Sequence, residues 1–190
     1  MNQYIELHAC SAFSFLRGAS QPKDLAVAAA DKGLAAMAVC DRGGFYGAPR
    51  FFKEARKRGV RPIVGCEIPM NDGSALPVLV KSRQGYRNLC QLLTSVHLRS
   101  AKGEGRVKWK ELESFSDGLF ALTGDEDGPL RRAWQKGGAS ELERSFRQMR
   151  RVFSDDDIGI EIQRLLIRGE DRWIGALSDL ARISGLPLVA

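Results

Sequence analysis

The sequence predicts an α/β fold of about seven parallel strands, as an open doubly wound sheet or a barrel. Three observations lead there. Short apolar runs alternate with longer segments of helical period. Proline and glycine punctuate those segments where helices start and stop. Side chains able to bind ions or phosphate fall just after several of the apolar runs, at the strand ends where parallel barrels build their sites.

Ile5-Glu6-Leu7 reads as the first strand. A helix then starts at Ser20, with Pro22 in its first turn and Leu25, Ala28, Ala29 and Lys32 at helical spacing up to Gly33. Ala36 to Cys40 is the second strand, and Ala48 to Arg58 a helix that buries Phe51, Phe52 and Ala55 and stops at Gly59. Pro62 to Cys66 and Leu76 to Val80 are the third and fourth strands. Tyr86 to Val96 is helical, with Leu89, Leu92, Leu93 and Val96 at i, i+3, i+4 and i+7. Arg99 to Lys110 is polar, carries Gly103 and Gly105, and reads as a mobile loop. Leu119 to Thr123 is the fifth strand. Ser140-x-x-Glu143 has capping-box spacing and opens a helix to Val152. Ile158 to Ile162 is the sixth strand, Glu170 to Ser184 a helix, and Leu186 to Val189 a seventh strand expected to pair beside the sixth and leave an exposed edge.

The 190 residues carry a net charge of +6 and a pI near 9.4, with 44% hydrophobic residues. That is enough chain for one domain, residues 1–190, with its own core. The absence of a long apolar run excludes a membrane span, and the N-terminus has no signal-peptide pattern. Cys10, Cys40, Cys66 and Cys90 are too widely spaced for a zinc ribbon or a small disulfide scaffold, so a cytoplasmic protein is expected. Basic residues cluster at 50–61, 99–110 and 144–151, as solvated faces or as a footprint for a polyanion. Neither a dinucleotide fingerprint nor a P-loop is present.

His8, Asp41, Glu67, Asp125 and Glu161 with Gln163 sit at or just beyond strand ends. The residues around them carry a resemblance. His8-Ala-Cys-Ser-Ala-Phe-Ser-Phe-Leu-Arg-Gly-Ala-Ser20 resembles the opening motif of the PHP (polymerase and histidinol phosphatase) domain, in the version at the N-terminus of error-prone bacterial DNA polymerases of the C family, relatives of the replicative alpha subunit. The likeness continues through Gly65-Cys66-Glu67, Gly85 to Thr94, Lys102 to Arg106, Leu122 to Leu130 and Glu161 to Arg164. It implies a distorted seven-stranded α/β barrel, incomplete at its C-terminal end here, whose strand ends hold a metal cluster.

Carried over residue by residue, the implied ligand set is damaged. His8 is kept, but the second histidine of the opening H-x-H is Cys10 and the following acid is Ala12. The T-D-H motif reads Cys40-Asp41-Arg42. Glu67 is kept, His97 falls at a further histidine position and Asp125 where some members place cysteine. Leu165 replaces another histidine, and a final D-x-H would lie beyond Ala190. The remaining metal-ligand candidates are His8, Cys10, Glu67, His97 and Asp125, in a pocket with Asp41, Arg42 and Gln163. They favour no cofactor, with a single zinc as the alternative. Arg42 sets a fixed charge where a neutral ligand belongs, repelling a cation and attracting an anion, Glu67 or a phosphate. His8 also reads as a core histidine, and His97 as a cation at a helix C-terminus.

The resemblance implies a non-catalytic structural module of an error-prone DNA polymerase, a nucleotidyltransferase of translesion synthesis, with DNA and the rest of the polymerase as partners. The alternatives are a metal-dependent phosphoesterase or 3′–5′ exonuclease, which Arg42 and Leu165 oppose, and a stand-alone nucleic-acid-binding protein using the basic groups.

Overall fold

A computed structural model describes residues 4–189. Its strands are β1 (Glu6–Ala9), β2 (Ala36–Arg42), β3 (Arg61–Pro69), β4 (Ala75–Val80), β5 (Leu119–Leu122), β6 (Ile158–Glu161) and β7 (Leu188–Val189). The helices are α1 (Pro22–Asp31), α2 (Ala48–Lys57), α3 (Arg83–Arg99), α4 (Trp109–Leu112), α5 (Pro129–Val152) and α6 (Glu170–Ser184). One seven-stranded sheet runs in the order β1-β2-β3-β4-β5-β6-β7. It curls into a half-barrel, and among the described residues no ladder joins β7 to β1. Leu188 and Val189 pair with Ile160 and Glu161, beside the sixth strand as expected.

The expectation of parallel strands throughout is corrected at β4, which runs antiparallel to both β3 and β5. The physical reason is the length of its connection. Residues 70–74 are far too few for the dozen or so that a crossover needs. Asp72 Oδ1 accepts from the Ser74 amide at 2.9 Å and from its hydroxyl at 2.6 Å, closing a turn around Gly73 at φ 86°.

Strand alternation sorts the core into layers. Met37 and Val39 of β2 face α1 and α2, packing with Ala26, Ala29, Phe51 and Ala55. Ala38 and Cys40 face into the curl with Leu79 and Leu122. The largest apolar cluster packs the outer faces of β3, β4 and β6 on α3, α5 and α6. In α3, Leu89, Leu92, Leu93 and Val96 are all buried, as their spacing requires, each contributing about 1.5–3 kcal/mol of apolar burial. That helix starts earlier than the apolar pattern because the Ser82 hydroxyl accepts from the Gly85 amide at 3.0 Å.

Two other expectations are refined. The helix expected from Ser140 to Val152 is present as the second of two that meet at a kink, where Gly137 and Gly138 have non-helical backbone, the latter at φ 63°, and a first helix precedes it from Pro129. Just after the kink, the Ser140 hydroxyl donates to the Gly137 carbonyl at 3.2 Å in place of a capping box. The polar segment after α3 is tied down. The Val107 amide donates to the Pro69 carbonyl and the Asn71 amide to the Val107 carbonyl, both at 2.9 Å, while Arg99 pairs with Glu111. No helix among the described residues is long and apolar enough to cross a membrane.

Candidate functional site

The C-terminal strand ends of β1, β2, β3 and β6 and the loops after β1 and β5 bring charged side chains to one mouth of the half-barrel. Register supplies the centre. Arg42 lies opposite Glu67 in the β2–β3 ladder, on the same face, and Arg42 Nε donates to Glu67 Oε2 at 2.6 Å. From the edge strand, His8 Nε2 lies 3.2 Å from Glu67 Oε1, a close ion-pair approach without hydrogen-bond alignment. His8 Nδ1 is 2.8 Å from Glu161 Oε1. The Cys10 thiol donates to Glu67 Oε1 at 3.2 Å. Gln163 Nε2 donates to Glu161 Oε1 at 2.7 Å.

A second ring surrounds this centre. Arg17 donates to Asp127 at 2.6 Å and to Asp125 at 3.1 Å, and its Nε is 3.7 Å from Glu67. Arg42 also donates to Asp127 at 3.0 Å, as does Arg132 at 3.1 Å. The Asp127 amide in turn donates to Asp125 at 2.9 Å. Side-chain cations and carboxylates therefore neutralise one another within the site.

The electrostatics follow. Burial alone would lower His8, but hydrogen bonding to Glu161 and the neighbouring Glu67 outweigh it and raise its pKa to about 10, so it is an imidazolium at neutral pH. Burial would raise Glu67, yet His8, Arg42 and Arg17 hold it down at about 2. The Cys10 thiol is pushed up to about 12, first by burial and then by the Glu67 charge. Asp125 is raised by burial, whereas Asp127 is lowered because Arg42 and Arg17 overcome its burial.

The structure thus brings together His8, Cys10, Arg42, Glu67, Asp125 and Gln163. Two candidates stand elsewhere. Asp41 is fully buried on the opposite face of β2, because neighbouring strand residues point to opposite sides. It accepts from the Ser11 amide and hydroxyl, the Ser14 hydroxyl and the Gly47 amide, all within 2.9 Å. Gly47 permits that approach, since a Cβ there would sit 2.6 Å from Asp41 Oδ2. Asp41 therefore shapes the β1–α1 loop and does not line the ion-pair centre. His97 sits in the last turn of α3 and bonds the Gly43 carbonyl through Nε2 at 2.8 Å, with no carboxylate in reach among the described residues.

Sequence reasoning passed over Arg17, Asp127 and Arg132. Arg17 lies in F-L-R-G-A-S, where Gly18 lets the loop fold onto the Ser11 carbonyl without collision. Asp127 lies in G-D-E-D-G, two residues from Asp125. Both motifs were visible as words, but pairs 108 and 110 residues apart leave no local signal.

A metal does not fit these donors. Both Glu67 oxygens face built-in cations, Cys10 is held as a neutral thiol, and Arg42 occupies the space before the carboxylate. Among the described residues, no group of three His, Cys, Asp or Glu is arranged to hold an ion. Leu165 offers only its backbone amide, donated to Glu170 at 2.7 Å.

Comparison with known proteins agrees with the geometry at the level of family. Error-prone DNA polymerases from Mycobacterium tuberculosis and Methylococcus capsulatus are 35% and 37% identical over 98% of this chain, and the DNA polymerase III alpha subunit of Caulobacter vibrioides is 31% identical. The chain spans 17–18% of the length of these relatives. Among solved structures, a protein from Bifidobacterium adolescentis described as a metal-dependent phosphoesterase superposes with a TM-score of 0.61 at 14% identity, covering 98% of this chain and 85% of its own, a likeness of fold. The PHP domain matches residues 6–165 directly, and the chain belongs to the PHP domain family.

Proposed function

We propose that this chain is a non-catalytic PHP module of a DNA polymerase, working in the cytoplasm alongside the remainder of such an enzyme and its DNA, in the damage-tolerant synthesis its error-prone relatives are named for. The carrying observation is the 2.6 Å pair between Arg42 Nε and Glu67 Oε2. A phosphoesterase of this fold would need cations that are free to bind water and neutralise phosphate. Here the carboxylate that would bind them is taken up by side chains, and the imidazole of His8 is a proton-saturated cation. The charge cluster acts as a fixed plug that fastens the strand ends together. Support for the polymerase context comes from relatives that match almost the whole chain yet are several times longer.

The test is metal analysis after incubation with Zn²⁺ or Mn²⁺, paired with assays on a DNA 3′ end and a simple phosphate ester. The expected result is sub-stoichiometric metal and no turnover. Robust metal-dependent hydrolysis abolished by Glu67→Ala would replace this reading with that of an enzyme.

A further inference from the structure

Beside the ion-pair plug, the same mouth opens into a cleft of about 930 Å³ with a different lining. Its aromatic wall is Phe13 and Phe15 from the β1–α1 loop and Tyr46 from the β2–α2 loop. Its far wall is Lys102 and Arg106 from the segment after α3, and its floor includes the guanidinium groups of Arg17 and Arg42. Among the described residues that line it, every charged side chain is basic. Phe15 is 84% exposed, Tyr46 55% and Phe13 40%, and Arg50 lies over the Phe13 ring at 5.3 Å.

The aromatic loop is built, not slack. The buried Asp41 carboxylate grips Ser11 and Ser14, and the Arg42 amide donates to the Ser14 hydroxyl at 3.0 Å. Leu16 sits at φ 63° and is 90% exposed, a left-handed conformation costing a leucine on the order of 1–2 kcal/mol that no interior packing explains. The fold thus spends a buried carboxylate on holding exposed rings beside an all-basic wall.

We infer that this cleft binds single-stranded DNA, its bases stacking on Phe15 and Tyr46 and its phosphates facing Lys102 and Arg106. Flat faces serve any base, and clustered cations follow the backbone, which is the combination that recognises an unpaired strand without reading its sequence. A duplex hides its base faces and fits the chemistry poorly. The inference rests on the non-catalytic reading in one respect: the floor is ion-paired guanidinium, so a bound strand meets hydrogen-bond donors and stays uncut.

The experiment is fluorescence anisotropy with labelled oligo-dT of about 12 nucleotides in EDTA, between about 50 and about 200 mM salt. Two phosphate contacts, at Lys102 and Arg106, predict an affinity loss of about 7-fold across that range. Phe15→Ala and Tyr46→Ala should each weaken binding about fivefold or more. Lys102→Ala should flatten the salt dependence, and the matching duplex should bind less tightly. These side chains are exposed, so unchanged melting temperatures are expected to show intact folds. Absence of saturable binding at low salt, or binding indifferent to both aromatic substitutions, would overturn the inference; the second result would move the contact to a generic basic surface such as Arg144 and Arg147. Cleavage of the oligonucleotide on adding metal would instead sink the non-catalytic reading while leaving the cleft standing.

Discussion

Two buried acids lie close together along the ends of β2 and β3, on opposite faces of one sheet, and they are satisfied by opposite means. Asp41 is held by neutral donors alone, hydroxyls and amides of Ser11, Ser14 and Gly47. Glu67 is held by cations, His8, Arg42 and Arg17. Neutral donors are directional, so the Asp41 node fixes the path of a loop. Cations are less directional and are costly to leave unpaired, so the Glu67 node couples four separate strand ends electrostatically. A strand alternation of one residue decides which role an acid takes.

The sharpest way to break the contrast is Glu67→Gln. It leaves Arg42 and His8 without their shared anion, and removal of one partner from a buried pair typically costs about 3–5 kcal/mol. Urea denaturation should show that loss, and a second change, Arg42→Met, should restore part of it. Restoration of nothing would mean the pair is not the coupled unit described. Asp41→Asn should cost less, about 1–3 kcal/mol, because it swaps one oxygen for a donor facing other donors. Its signature should be local: faster proteolysis of residues 10–20.

A further effect is on pH. His8 has a folded pKa raised to about 10 from 6.5, so its contribution is complete below pH 6.5 and fades as pH climbs through 10. Glu67 is lowered to about 2 from 4.5, so its contribution is complete above pH 4.5 and fades as pH falls through 2. Stability from this node should therefore be flat between those limits and fall on either side. His8→Gln should remove the alkaline fall and shrink the acid one, which Arg42 and Arg17 still sustain. Titrating unfolding free energy against pH in both proteins separates the two, and an unchanged alkaline limb in the variant would mean the imidazolium is not its source.

Much of this was legible from residue order. Helix α6 runs from Glu170 to Ser184 as its pattern indicates, bracketed by Gly169 and Gly185. The inward set His8, Arg42 and Glu67 follows from strand-end positions and the family likeness. The reversal of β4 was also written in the chain, since Asn71-Asp72-Gly73-Ser74 is a turn and too short for a crossover, but apolar runs alone do not show direction. Asp41 and Arg42 were adjacent letters whose opposite fates depend on strand phase, which needs the start of β2 to be known to a single residue. Arg17 and Asp127 meet only because loops after β1 and β5 share one mouth, a fact of tertiary closure that no window of sequence contains.

The open seam between β1 and β7 has a kinetic meaning. The gap is lined by Leu7, His8 and Ala9 on one side and by Glu161, Ile162 and Val189 on the other, so the His8–Glu161 contact is a clasp across it. Where strands pair on both edges, backbone amides meet solvent only when the whole sheet comes apart. At a clasped seam they need only the clasp to release. Deuterium should therefore enter β1 and β7 together through a shared, low-energy opening, while β2, β3 and β4 wait for global unfolding. The proton on His8 then governs how often the sheet parts at its edges.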